Sequence, residues 1–116
     1  MKYEIEQLLN IIIPEQIKRI IESQEQFKIL IDGHYESFKS ISINELLAVY
    51  KEQENLFDYD IIPFAFLDDD FLCLYYKKDI ISIIYWSSER ALESKSMAIF
   101  EIYYSYEDFL HDIHRN

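Results

Sequence analysis

The chain has 116 residues, of which 50% are hydrophobic and 16% aromatic, and its net charge is −11. This length predicts a single domain over residues 1–116, and so apolar a composition excludes a disordered chain. The acidic charge argues against binding to nucleic acid or to an anionic membrane, because phosphate groups would be repelled. Every apolar run is too short to span a membrane, the first residues lack the layout of a signal peptide, and the single cysteine suits a reducing compartment. We therefore expect a cytoplasmic location.

Two short helices are predicted at the start of the chain. Apolar residues recur at near-helical spacing over residues 3–9, which favours a first helix. Pro14 suits the first turn of a second helix, where its missing amide hydrogen leaves no bond unmade. The apolar stripe of the second helix is Ile17, Ile20 and Ile21.

A hairpin and a third helix follow. Residues 27–31 favour a strand, residues 35–41 favour its partner, and Asp32–Gly33 between them is a turn dipeptide because glycine tolerates positive φ. Ser42 with Glu45 three residues later has the spacing of a capping box, which predicts a helix directly after Ser42. The inner face of this helix should be Ile43, Leu46, Leu47 and Tyr50.

Three apolar runs separated by short charged breaks predict strands joined by tight turns. The runs are residues 61–67, 71–76 and 80–86. Because they are apolar on both faces, the sheet should be covered on at least part of each side. Pro63 lacks an amide hydrogen, so we expect it at the start or the edge of its strand.

The chain is predicted to close with a strand and an amphipathic helix. Residues 87–93 favour a short helical turn or loop, and residues 97–104 favour the last strand. Ser105, with Asp108 three residues on, caps the final helix. The apolar face of that helix is Tyr106, Phe109, Leu110 and Ile113.

Several of these segments together resemble the SUKH superfamily, which groups fungal regulators of cell-wall synthesis with many bacterial immunity proteins. The segments are Pro14–Ile20, Ile62–Phe66, the acidic turn Asp68–Asp70, Tyr85–Trp86 and the ending Ser105–Leu110. The resemblance covers the whole chain and is sharpest from Ile61 onward. The chain departs from the family where glycine is common, since Glu22-Ser23-Gln24 follows the early helix and Asp68–Asp70 forms the central hairpin turn.

The resemblance implies an α+β fold, with a central, mostly antiparallel sheet flanked by helices. It also implies a non-enzymatic role. Bacterial members of the family are cytoplasmic antidotes that bind and block toxins, many of them nucleases. A basic toxin would therefore be the expected partner of this chain, and no cofactor is expected. A regulatory binding module of the same fold, without a toxin, is the alternative.

The candidate partner-binding residues are acids and nearby tyrosines. No basic residue lies between Glu52 and Asp70, so this stretch could mimic phosphate and attract a basic toxin. Neighbouring tyrosines on a strand point to opposite faces, so one ring of such a pair could be exposed for binding. The alternative, that both rings lie under helices, stays open. The candidates are Asp58, Tyr59, Asp60, Asp68, Asp69, Asp70, Tyr75 and Tyr76.

Three groups of residues are candidates for metal binding or for a reactive thiol. The acidic turn Asp68–Asp70 could offer oxygen ligands to a metal, but adjacent acids on a tight turn point in different directions, which favours a solvated turn or a partner surface. His111 and His114 would need further ligands. Cys73 lies in an apolar run, where a buried thiol is unreactive. No catalytic or metal-binding residue is predicted, a small metal-dependent hydrolase is the enzymatic alternative, and a monomer or weak homodimer is expected.

Overall fold

The fold is built on one antiparallel sheet with helices packed against it, in a computed structural model that describes residues 2–24, 26–52 and 60–115. The strands of the described residues are β1 (Gln26–Ile31), β2 (His34–Ser40), β3 (Ile61–Leu67), β4 (Asp70–Tyr76), β5 (Ile81–Trp86), β6 (Ile99–Tyr103) and β7 (His114–Arg115). The helices are α1 (Glu4–Leu9), α2 (Glu15–Ser23), α3 (Leu46–Glu52), α4 (Ser88–Ala91) and α5 (Tyr106–Asp112). The strand order is β6-β5-β4-β3-β2-β1-β7. The α+β expectation is confirmed at this level.

The first hairpin forms as its turn dipeptide predicts. Asp32 and Gly33 have φ values of 51° and 81°, and Ile31 pairs with His34 across them. Positive φ at both central residues matches the right-handed twist of the two strands. The final helix also begins as predicted, because the Ser105 side chain accepts a hydrogen bond from the Asp108 amide. It ends at Asp112, so Ile113, which was expected on its apolar face, follows the helix in an extended conformation.

The inner face of the sheet, defined as the face that carries Phe27, Phe38 and Leu72, forms the larger core. Buried residues of α1, α2, α3 and α5 pack against it. Phe109 of α5 lies at the centre, with its ring edge-on to three other aromatic rings at centroid distances of 5.7 to 5.8 Å. Those rings belong to Phe27, Phe64 and Tyr103. Aromatic packing of this kind ties α5 to both halves of the sheet.

The outer face of β3, β4 and β5 carries a second, smaller core. Cys73, Ile84 and Trp86 are buried there together with Ala98, which lies in a 3₁₀ turn after α4. The prediction that the sheet is covered on part of both sides is therefore confirmed. Cys73 is fully buried, and its burial raises the pKa of the thiol well above the ordinary value, as expected for a core cysteine.

Two local predictions, for the third helix and for Pro63, differ from the structure. The third helix begins at Leu46, after a turn, and the Ser42 side chain instead accepts from the Asn44 amide at 3.4 Å. Pro63 is the third residue of the interior strand β3, not at its start or at a sheet edge. It is tolerated there because the pairing with β4 shifts register between Pro63 and Ala65, and β2 pairs with β3 only from Ala65 onward. The two-residue strand β7 was not predicted.

A buried ion pair joins α1 to α2. Glu6 Oε1 lies 2.8 Å from Lys18 Nζ and accepts from the Tyr3 amide at 2.8 Å, while Oε2 accepts from the Ile13 amide at 2.7 Å. The Lys18 ammonium also lies 4.8 Å from the centroid of the Tyr3 ring. Glu6 thus satisfies two backbone amides and one ammonium group in a site closed to solvent.

Candidate protein-binding site

The connections of the sheet place several exposed acids at one end of the molecule. Neighbouring strands are antiparallel from β1 to β4, so the β1–β2 turn and the β3–β4 turn lie at the same end. Asp32 is exposed in the first turn, and Asp68 and Asp69 are exposed in the second. We call this end of the sheet, with Asp32, Asp68 and Asp69 at its turns, the acidic end.

A cavity of about 580 Å³ opens beside the acidic end. Strands from the two sides of the sheet line it, with Leu30 and Ile31 from β1, Tyr85 from β5, and Phe100 and Ile102 from β6. Such an arrangement requires a curled sheet. The curl is visible in the contact between Phe38 of β2 and Tyr85 of β5, whose ring centroids lie 6.0 Å apart although β3 and β4 separate the two strands.

The charged lining of the cavity is mostly acidic. Asp32, Glu36 and Glu101 contribute carboxylates, and Arg90 contributes a guanidinium group. Glu101 is paired with Lys77, and the hydrogen bond from Lys77 is the main reason that the pKa of Glu101 is lowered. Within the described ranges, neither Asp32 nor Glu36 forms an ion pair, so both carboxylates can pair with a basic group that enters the cavity.

Asp70 is a structural residue at the base of the acidic end. Its Oδ2 accepts a hydrogen bond from the Tyr85 hydroxyl, and its Oδ1 accepts from the Ser88 amide and hydroxyl, each at 2.8 Å. Burial raises the pKa of Tyr85, and the bond to Asp70 and the charges of Asp70, Glu36 and Asp68 raise it further. The Asp70 carboxylate therefore holds β4, β5 and the start of α4 together.

Asp60, Tyr75 and Tyr76 lie at the other end of the same strands. Strand β3 has seven residues between Asp60 and Asp68, which at ~3.3 Å per residue separates the two acids by roughly 25 Å. Tyr76 donates to the Ile12 carbonyl at 2.8 Å, and burial raises its pKa. Tyr75 is on the outer face, with the Lys77 ammonium 5.7 Å from its ring centroid.

The predicted partner-binding residues are therefore divided between two ends. The structure brings Asp68, Asp69 and Asp70 together, and it places Asp60 away from them with both tyrosines. The rings of Tyr75 and Tyr76 point to opposite faces and are both half-buried. In the other pair of neighbouring tyrosines, Tyr103 and Tyr104, the second is 65% exposed. Asp58 and Tyr59 lie outside the described residues.

Sequence reasoning missed the residues that join the acidic turn to the cavity. These are Asp32, Glu36, Tyr85, Arg90 and Glu101. A signal for Asp32 was present, because alternate turns of an antiparallel meander lie at one end of the sheet. The meeting of β1 with β6 had no such signal, since it depends on how strongly the sheet curls.

Comparison of the chain with protein-family models, with curated proteins and with solved structures finds no match. The resemblance to the SUKH superfamily accordingly stays a prediction from the sequence motifs. Across the described part of the chain, no three side chains of His, Cys, Asp or Glu are placed to hold a metal ion together. No helix among those residues is both long enough and apolar enough to cross a membrane.

Proposed function

We propose that this chain is a non-catalytic binding domain that recognises a basic protein, as an immunity protein recognises a toxin. The observation that carries this proposal is the acidic end, where Asp32, Asp68 and Asp69 are exposed on two adjacent turns beside a cavity with an acidic lining. Carboxylates on rigid hairpin turns present a fixed pattern of charge. Such a pattern favours a partner with a matching set of lysine and arginine side chains.

The overall charge of −11 supports a partner of opposite sign. Charges of one sign gathered at one end of a protein attract an oppositely charged partner before contact and raise the association rate constant. A toxin that acts on nucleic acid commonly has a basic surface for phosphate, so an acidic antidote can compete for that surface. A toxin with nuclease activity is the partner that this chemistry fits best.

The backbone conformation supports the resemblance at the two places where the chain has other residues instead of the family's common glycines. Gln24, which ends α2, and Asp68, in the β3–β4 turn, both have φ of 53°. This left-handed conformation is the one that glycine adopts most readily. The chain thus has a conformation that suits glycine at both places where the family commonly has glycine, although it uses other residues.

Reversing the charge of the β3–β4 turn tests the proposed function. The double variant Asp68→Lys/Asp69→Lys is expected to lower the association rate constant for a basic partner about tenfold or more at low salt, because the attraction before contact is weakened. The matched control is Asp79→Lys/Glu107→Lys, which changes the net charge equally at exposed sites away from the acidic end. Stopped-flow fluorescence over a range of ionic strengths measures both rates.

The partner to use first is the product of the neighbouring gene, tested for co-purification and for growth inhibition that this chain relieves. The proposal expects rescue of growth, with a stronger loss in the Asp68/Asp69 variant than in the control. Equal association rate constants for the two variants would show that the acidic end does not attract the partner. If no basic partner is found, the proposed function is wrong.

A further inference from the structure

The two strands that flank the cavity have unpaired outer edges. Strand β6 is the last strand on its side of the sheet and pairs only with β5 among the described residues. On the other side, β7 pairs with β1 only at Phe27 and Lys28, so no described strand covers Ile29–Ile31. Unpaired amide and carbonyl groups along such edges are a template for a further strand.

The cavity lies between these two edges. It contacts Leu30, Ile31 and Asp32 on one side, and Phe100, Glu101 and Ile102 on the other. Successive side chains of a strand point to opposite faces, so a cavity lined by Phe100, Glu101 and Ile102 reaches the backbone edge of β6. The curled sheet therefore leaves one gap, which the free edges of β1 and β6 border.

The lining of the gap defines the chemistry of an occupant. Phe100 is 45% exposed and Leu30 is 49% exposed, which offers apolar surface on each side. Glu36 lies on the inner face, since it pairs with the buried Ile29, and it faces the cavity together with Asp32. A segment with arginine or lysine on one face would place its charges near these acids and its aliphatic stems on the apolar wall.

We propose that an extended segment of the basic partner binds in this gap as an added β-strand, hydrogen-bonded to the free edge of β6. Its backbone extends the sheet, and alternate basic side chains reach Glu36 and Asp32. This mode of recognition takes its affinity from main-chain bonds and its specificity from alternate side chains. The inference rests on the proposed function, because it assumes a basic protein partner and assigns the way in which that partner is held.

A short synthetic peptide of alternating arginine and valine, blocked at both ends and labelled with a fluorophore, is the probe for this inference. We expect it to bind the full chain, as measured by fluorescence anisotropy, and to protect from hydrogen exchange those amides among Phe100–Ile102 that point away from β5. Two control peptides carry N-methyl groups on one or the other set of alternate amides. One of them should bind about tenfold more weakly or worse, because it loses the donors that face β6.

Variants of the chain separate charge from backbone pairing. Glu36→Gln should weaken peptide binding, whereas Glu107→Gln, at an exposed site on α5, should leave it unchanged. A peptide of alternating glutamate and valine should not bind. Circular dichroism of each variant reports whether the fold is retained, and the N-methylated peptides test the same edge with the unmodified chain.

Three results would overturn the inference. They are equal binding of all arginine–valine peptides with or without N-methyl groups, no binding of the unmethylated peptide, and β6 amides protected in the free protein in a concentration-dependent way. The last result assigns the edge to a second copy of the chain. The proposed function survives if a basic partner still associates more slowly with the Asp68→Lys/Asp69→Lys variant while the β6 amides stay unprotected, so the two failures are distinguishable.

Discussion

Glu6→Ala is expected to lower the free energy of unfolding by about 3–5 kcal/mol, because it removes the buried carboxylate to which the Lys18 ammonium and two backbone amides donate. For a domain of this size that is a large part of the total stability, and Tm should fall by roughly 10–20 °C. Denaturant unfolding followed by circular dichroism measures the loss.

Glu4→Ala is the matched control for this substitution. Glu4 is an acid in the same first turn of α1, but its side chain is exposed. Its loss should change the free energy of unfolding by about 0.3–1 kcal/mol, as expected for a surface carboxylate near a helix N-terminus. Similar losses at Glu4 and Glu6 would mean that the buried ion pair contributes little to folding.

The Glu6 site also predicts the response of stability to acid. Burial acts to raise the pKa of Glu6, but hydrogen bonds from Lys18 and from the Tyr3 and Ile13 amides outweigh it and lower the pKa. A carboxyl group with a lowered folded pKa stabilises the protein above its unfolded pKa, about 4.3 for glutamate. That contribution is lost as the pH falls through the folded pKa.

Glu6→Gln isolates this contribution because glutamine cannot titrate. The difference in unfolding free energy between the wild type and Glu6→Gln should be constant from neutral pH down to about 5 and then shrink below about 4. Chemical denaturation at a series of pH values measures the difference. A gap that widens toward low pH would contradict the direction assigned to the pKa of Glu6.

Asp70→Ala is expected to lower the free energy of unfolding by about 2–3 kcal/mol, because three donors lose a charged acceptor. The adjacent residue supplies the control. Asp69 is exposed in the turn, and Asp69→Ala should change stability by less than about 0.5 kcal/mol. Hydrogen exchange at the Ser88 amide should rise in the Asp70 variant alone, since that amide loses its acceptor.

A double-mutant cycle with Tyr85→Phe resolves the role of Asp70 further. Tyr85 and Asp70 are joined by a hydrogen bond, so their substitutions should not be additive. Additive losses would mean that the bond between the two side chains is not a stabilising contact. In that case the structural role of Asp70 would rest on its two hydrogen bonds from Ser88.

Local signals in the sequence predicted the parts of the fold that depend on neighbouring residues. The Asp32–Gly33 turn and the Ser105 cap each involve residues within three positions of one another, and both form as expected. The roles of buried carboxylates were not predictable in this way. Asp70 has partners 15 and 18 residues away, so its position in an acidic triplet gave no indication that it is bonded internally.

The candidate site shows the same division between local and distant information. The exposed acids of the β3–β4 turn were found from the sequence, because charged residues between two apolar runs indicate a turn. The cavity was not found, because it forms only where the two sides of the curled sheet approach each other. Contacts between strands that are distant in the sheet depend on twist and curl, for which the chain carries no short motif.

At Asp32 and Asp68, the backbone conformation of the turn and the charge of the acidic end favour different residue types. Both hold a left-handed backbone conformation, at φ of 51° and 53°. For a residue other than glycine, that conformation costs about 1–2 kcal/mol, and somewhat less for aspartate. Glycine would relieve the strain but would also remove the charge, so the stability of these turns and their proposed role in fast association favour different residues.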